Sequence, residues 1–155
     1  MDIVAICTLS SGLYAIKHAL DLGVNIKKVI GLSDVHKRNK DAISGLVDIS
    51  EFCTTNNLEY GFVDDYTLKS ESITVLGEFV DLLWVCGWQR LIPEKFIKAA
   101  RLGAVGAHGS CDGITRGRGR SPQNWALMIG AKQFEISLFK ISPGIDDGAV
   151  ISTKS

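Results

Sequence analysis

The chain has 155 residues, 46% of them hydrophobic and 22% charged, which excludes wholesale disorder and suits a single domain over 1–155. Lys+Arg and Asp+Glu number 17 each, so the formal net charge is zero. A protein that lives on neutralising phosphates would be more basic, and no nucleic-acid partner is expected.

At the start of the chain, Asp2 stands where a secretory signal carries positive charge. Residues 3–7 predict a short apolar strand, and 8–12 a polar loop ending in glycine. A helix is expected over 13–22, because Leu13, Ile16, Ala19 and Leu20 fall at helical spacing before the stop at Gly23. Residues 29–32 predict the next strand. This βαβ unit implies parallel pairing through a right-handed crossover.

Residues 34–41 read as a charged loop exposing Lys37, Arg38 and Lys40. A helix follows over about 43–56, with Leu46, Val47, Ile49 and Phe52 on its inner side. Residues 60–63 predict a third strand and 68–79 a helix. Residues 80–86 are apolar apart from Asp81 and read as a central strand buried on both faces. Pro93 opens a helix to Arg101. Residues 102–107 form a strand, Ser121-Pro122 open a helix ending near Gly130, and 134–141 and 149–151 are the last strands. The alternation predicts an α/β fold, a Rossmann-like open, mostly parallel sheet flanked by helices. No apolar run approaches the ~18 residues of a membrane span, so no membrane partner is expected.

Cysteines stand at 7, 53, 86 and 111 with no CxxC spacing, so a zinc cluster is not expected. Cys7 and Cys86 lie in apolar runs and read as buried thiols of a reducing, cytoplasmic setting.

Sites in open α/β sheets form at the carboxyl ends of strands. The 8–12 loop, with Ser10, Ser11 and Gly12, is either an anion cradle or an ordinary strand-to-helix turn. It lacks both the GxGxxG and the P-loop pattern. His108, at a strand end, opens the long stretch 109–120 and is either catalytic or structural. Arg116, Arg118 and Arg120 alternate with glycine and suit either a phosphate or plain solvent. Trp88-Gln89-Arg90 line a ring-binding pocket or cover the core. Asp146 and Asp147 occupy a glycine-flanked turn, and a contact between Asp146 and His108 would orient the imidazole.

Four ordered segments together resemble the formyltransferase family that uses 10-formyltetrahydrofolate. They are Gly87-Trp88-Gln89-Arg90-Leu91-Ile92-Pro93, Ala107-His108-Gly109-Ser110, Arg118-Gly119-Arg120-Ser121-Pro122-Gln123-Asn124-Trp125-Ala126, and Gly144-Ile145-Asp146-Asp147-Gly148. The resemblance covers nearly the whole chain. The His-Gly-Ser step and the Arg-Gly-Arg-Ser-Pro-Gln-Asn-Trp run look most like the amino-sugar N-formyltransferases. The resemblance therefore implies a transferase that carries a formyl group from 10-formyltetrahydrofolate, as co-substrate, to the amine of a nucleotide-linked amino sugar.

On this reading His108 and Asp146 are catalytic, and the mechanism implied by the resemblance requires no metal. Trp88, Gln89, Arg90, Leu91 and Ile92, with Ile141, Ser142, Pro143 and Ile145, face the folate. Ser10, Ser11, Gly12, Arg118 and Asn124 face the sugar nucleotide. The alternatives are another amine, on methionyl-tRNA or glycinamide ribonucleotide, or a domain that binds folate or a sugar nucleotide without turnover.

The family's Asn two residues before the catalytic His is Gly106 here. That Asn donates to the oxyanion, and losing such a donor costs ~10²–10³ in rate. The stretch between His108 and Arg120 also carries Cys111-Asp112-Gly113 in place of the family's Leu-Pro pair. Family catalytic domains continue into further helix, so truncation at the C-terminus, with a further domain beyond Ser155 or self-association, is the expectation.

Overall fold

The computed structural model describes residues 1–33, 43, 45–119 and 121–155. The loop expected over 34–41 and Arg120 lie outside them.

Seven strands form one sheet: β1 (Ile3–Ile6), β2 (Ile26–Leu32), β3 (Glu59–Val63), β4 (Leu82–Val85), β5 (Ala104–Ser110), β6 (Glu135–Ile141) and β7 (Val150–Lys154), in the order β3-β2-β1-β4-β5-β6-β7. The first five strands pair in parallel. β6 runs antiparallel to β5, and β7 antiparallel to β6. Among the described residues the α-helices are α1 (Ser10–Asp21), α2 (Ser50–Thr55), α3 (Glu94–Ala99), α4 (Gly113–Arg116) and α5 (Pro122–Met128).

Side chains alternate across a strand, so β1 feeds two cores. Val4 and Ile6 join Ile30, Leu83 and Phe96 on one face of the sheet. Ala5 and Cys7 join Ile16, Val29, Ile49 and Cys53 on the other. Each fully buried large side chain contributes roughly 1.5–3 kcal/mol. Cys7, Cys53 and Cys86 are buried free thiols. Burial, with smaller contributions from Cys7 and Asp48, pushes Cys53 up to about 11. The neighbouring Cys7 thiol raises Cys86, and burial adds to it.

Several elements differ from the sequence reading. The helix α1 begins at Ser10, so Ser10, Ser11 and Gly12 form its first turn instead of a free loop. Gly12 sits where α1 crosses the ends of β1 and β4. A Cβ there would stand 2.5 Å from the Cys86 carbonyl oxygen and 2.6 Å from Cys7 Sγ, so only glycine fits.

The helix expected over 43–56 is reduced to α2. Backbone at 45–47 pairs instead with 8–10, through Ser10 N–H to Gly45 O at 3.1 Å and Val47 N–H to Thr8 O at 3.0 Å. Asp48 Oδ1 accepts from Ser50 N–H at 2.9 Å, which starts α2 at Ser50.

The helix expected over 68–79 is only a 3-10 turn, Ile73–Leu76. Upstream, Asp65 accepts from the backbone and hydroxyl groups of Thr67 and Ser70. These local bonds compete with a helix, and Leu68 turns to φ 58. They also hold the Asp65 carboxyl well below the usual carboxylate range, the Thr67 hydroxyl contributing most.

The strand buried on both faces is β1, not β4, whose Leu82, Trp84 and Val85 are only half-buried. Finally, β5 runs on to Ser110, so His108 lies within a strand, opposite Ser137 of β6.

Candidate active site

The carboxyl ends of β4 and β5 open onto a cavity of about 250 Å³. The register explains its floor: Val85 pairs with Gly106, and Gly106 pairs with Phe139. All three line the cavity, with Ala107 beside them. One wall is the segment after β4: Gly87, Trp88, Gln89, Arg90, Leu91 and Ile92. Gly87 adopts φ +69, a conformation that favours glycine and turns the chain out of β4. Its carbonyl accepts from the buried Thr8 Oγ1 at 2.8 Å and from Thr8 N–H at 3.1 Å, which ties the wall to the end of β1. Ile141, Ser142, Gly144 and Asp146 supply the opposite wall.

Trp88 and Ile92 are buried, whereas Gln89, Arg90 and Leu91 are exposed. The Trp88 Nε1 is buried without a hydrogen-bond partner among the described residues.

Asp146 comes to His108 from the turn between β6 and β7. Its Oδ2 stands 3.6 Å from His108 Nδ1 and accepts the Gly119 N–H at 2.8 Å. Asp146 holds φ 46, a left-handed conformation tolerated by a short polar side chain. On the other side of the ring, His108 Nε2 lies 2.7 Å from the Gly117 carbonyl oxygen. A carbonyl only accepts, so Nε2 carries the hydrogen and Nδ1 faces the carboxylate. The imidazole is largely buried, at 11% exposure of the side chain. With its Nε2–H held by Gly117, it does not itself line the cavity. Opening that contact is what would present the hydrogen to a reacting oxygen.

The structure therefore brings together Trp88, Gln89, Arg90, Leu91, Ile92, Ile141, Ser142 and Asp146 around one cavity, with His108 directly behind Asp146. Pro143 and Ile145 lie in the same turn but outside the cavity lining, and both are exposed. Ser10, Ser11, Arg118 and Asn124 are solvent-exposed and likewise outside it. Gly12 is buried against Cys86.

Missed by the sequence reading are Val85, Ala107, Phe139 and Gly144 as cavity lining, and Gly117 and Gly119 as partners of the His–Asp pair. Val85 and Phe139 were legible only as strand residues; pairing across β4, β5 and β6 converts them into cavity floor. Among the described residues, no cluster of His, Cys, Asp and Glu could hold a metal ion, and no helix is long and apolar enough to cross a membrane.

Known proteins extend this geometry. A methionyl-tRNA formyltransferase of Chlorobium chlorochromatii is 28% identical over 133 residues, covering 86% of this chain and 41% of that protein. The bifunctional polymyxin resistance protein ArnA of Wigglesworthia glossinidia brevipalpis is 31% identical over 75 residues, covering 48% of this chain and 11% of that protein. The chain thus spans less than half the length of these relatives. In fold, it is similar to a phosphoribosylglycinamide formyltransferase of Bacillus halodurans, with a TM-score of 0.76 at 16% identity, covering 99% of this chain and 78% of that one. A formyltetrahydrofolate deformylase of Pseudomonas syringae pv. tomato superposes with a TM-score of 0.74 at 15% identity, covering 99% of this chain and 50% of that one. The family match runs from residue 12 to residue 155, across both cavity walls and the His108–Asp146 pair, and the chain belongs to the formyl transferase family.

Proposed function

We propose that this chain transfers a formyl group from 10-formyltetrahydrofolate to an amine, and that the amine belongs to a nucleotide-linked amino sugar. The observation that carries the reading is the approach of His108 to Asp146 at 3.6 Å beside a cavity walled by residues 87–92 and by Ile141, Ser142, Gly144 and Asp146. Family membership supports the reaction class.

In the reaction, the neutral amine attacks the formyl carbon and a carbon–nitrogen bond forms. The bond from that carbon to the folate nitrogen breaks, and the amine's proton passes to the departing nitrogen. Negative charge gathers on the formyl oxygen in between and needs donors already in place. His108 supplies its Nε2–H once the Gly117 carbonyl releases it. Asp146 orients the ring, and either His108 or a water held by Asp146 removes the amine's proton. The walls 87–92 and 141–145 hold the folate, with backbone groups meeting the pterin edge. Arg118 and Asn124, both exposed, reach toward the nucleotide. Gly106 leaves the family's second oxyanion donor position without a side chain.

The amino-sugar acceptor is supported by the run Arg118-Gly119-Arg120-Ser121-Pro122-Gln123-Asn124-Trp125 and by the ArnA relative. Methionyl-tRNA is the second reading, favoured by methionyl-tRNA formyltransferases that match over more of the chain.

The test is calorimetric titration of the protein with 5-formyltetrahydrofolate, a stable stand-in for the donor. Formyl transfer from 10-formyltetrahydrofolate is then assayed to nucleotide-linked amino sugars, methionyl-tRNA and glycinamide ribonucleotide in parallel. Micromolar folate binding and turnover on an amino sugar are expected. Turnover on methionyl-tRNA alone overturns the acceptor. Absence of folate binding overturns the reaction class.

A further inference from the structure

We propose that Tyr66, which lies outside the cavity, is a positioning residue for its folate-facing wall. This rests on the reading of that wall as part of the formyl-donor site. Tyr66 is buried, at 7% exposure, in the segment between β3 and the 3-10 turn. It engages consecutive residues of the wall in different ways. Its ring meets Trp88 edge-on, with centroids 4.8 Å apart and planes at 73°. Its hydroxyl oxygen accepts the Gln89 N–H at 3.1 Å. The Arg90 guanidinium lies 4.8 Å over its ring. Trp88, Gln89 and Arg90 all line the cavity, whereas Tyr66 does not.

The segment that presents Tyr66 is itself braced. Asp65 accepts from Thr67 and Ser70, and Glu71 Oε1 accepts the N–H groups of Asp64 and Asp65 at 2.8 and 2.7 Å. Lys95 of α3 donates to the carbonyls of Lys69 and Glu71. Tyr66 is thus a fixed post, and the exposed residues Gln89 and Arg90 lean on it.

Trp88 depends on this post more than a core aromatic would. Its buried Nε1–H has no partner among the described residues, so no hydrogen bond from them selects the orientation of the indole. Packing alone does, and Tyr66 supplies part of that packing. An indole freed from Tyr66 gains by turning until its N–H finds an acceptor, because an unpaired buried donor is costly. The wall would then lose its shape without any cavity residue having been changed.

The experiment compares the full chain with Tyr66→Phe and Tyr66→Leu. Tyr66→Phe keeps the ring and removes one acceptor, so its fold survives even if Tyr66→Leu does not fold. Amide exchange at Gln89 is read in the free protein. It should be at least about fivefold faster in Tyr66→Phe than in the wild type, as its N–H loses its acceptor. In calorimetric titration, Tyr66→Phe should bind 5-formyltetrahydrofolate about five- to tenfold more weakly, and Tyr66→Leu more weakly still. In turnover, KM for the formyl donor should rise while kcat stays within about twofold, the signature of a lost binding wall rather than lost chemistry. Unchanged Gln89 exchange overturns the proposal, whatever the ligand does. Faster exchange with undiminished folate affinity also overturns it, leaving the donor-site reading intact. If the wild type itself binds no folate, the donor-site reading fails, and this proposal fails with it.

Discussion

In β1 every residue from Ile3 to Ile6 is buried, whereas in β7 every residue from Val150 to Lys154 is exposed. The contrast extends to the helices. Phe96 of α3 is fully buried, while Leu127 and Met128 of α5 and the following Ile129 stand 81%, 75% and 67% exposed. Residues before β5 pack apolar side chains against both faces of a parallel sheet. The strands after it run antiparallel, and this shorter region leaves Trp125, Ile136 and Ile151 in solvent, as the first region does Tyr14, Leu22 and Phe79. The cavity sits on the seam, floored by β4 and β5 from one region and β6 from the other. The parallel half holds most of the buried core, and the turns of the antiparallel half bring Gly117, Gly119 and Asp146 to His108.

This division can be broken most directly by paired truncation. Phe96→Ala should cost ~3–5 kcal/mol in denaturant unfolding, whereas Leu127→Ala should stay within ~0.5 kcal/mol. Equal losses would mean that α5 belongs to the stabilising core after all. On the chemical side of the seam, His108→Ala should lower formyl transfer by ~10²–10³ with the unfolding midpoint little changed. Activity within about threefold of wild type would remove His108 from the reaction.

Gly106→Asn asks whether the seam lacks a donor. A Cβ there meets Ile141 Cδ1 at 3.1 Å, a flexible side-chain end that can yield. A rise of about tenfold in rate is expected, part of what a full oxyanion donor supplies. No rise means that another group already fills the place.

The smallest effect should come from pH. The folded Asp65 carboxyl is held below its ordinary value by Thr67 and Ser70. Its stabilisation is therefore present above the unfolded pKa of about 3.9 and is lost as pH falls through the folded value. The unfolding midpoints of wild type and Asp65→Ala should differ by a constant amount from neutral pH down to about pH 5, and the difference should shrink progressively as pH falls below about 4 toward the folded value. A difference that does not shrink at all below about pH 4 would mean that the Asp65 turn does not depend on charge.

Much of the architecture was legible in local pattern. The apolar runs at 3–7 and 29–32, the stop at Gly23 and the Ser121-Pro122 start all lie within a few residues of real element ends. Elements were misjudged where side chains or distant backbone compete for the same hydrogen bonds. Apolar spacing over 68–79 suggested a helix, but Asp65 bonds Thr67 and Ser70 locally and leaves only a 3-10 turn. Residues 45–47 have helical spacing too, yet their backbone pairs with 8–10. His108, Asp146 and the 87–92 wall were legible because they sit in short ordered motifs.

The amino-acid sequence by itself determined the α/β alternation, the apolar strands that build both cores, and the segments that carry His108, Asp146 and Trp88. These follow from period and local chemistry, which need no partner. Only the tertiary structure decided that β1 is the strand buried on both faces, that Gly117 holds the Nε2–H of His108, and that Tyr66 braces a wall more than twenty residues away in the chain. Such contacts depend on register and on which backbone groups meet, and a one-residue slip between β4 and β5 would put a different residue beside Val85 on the cavity floor.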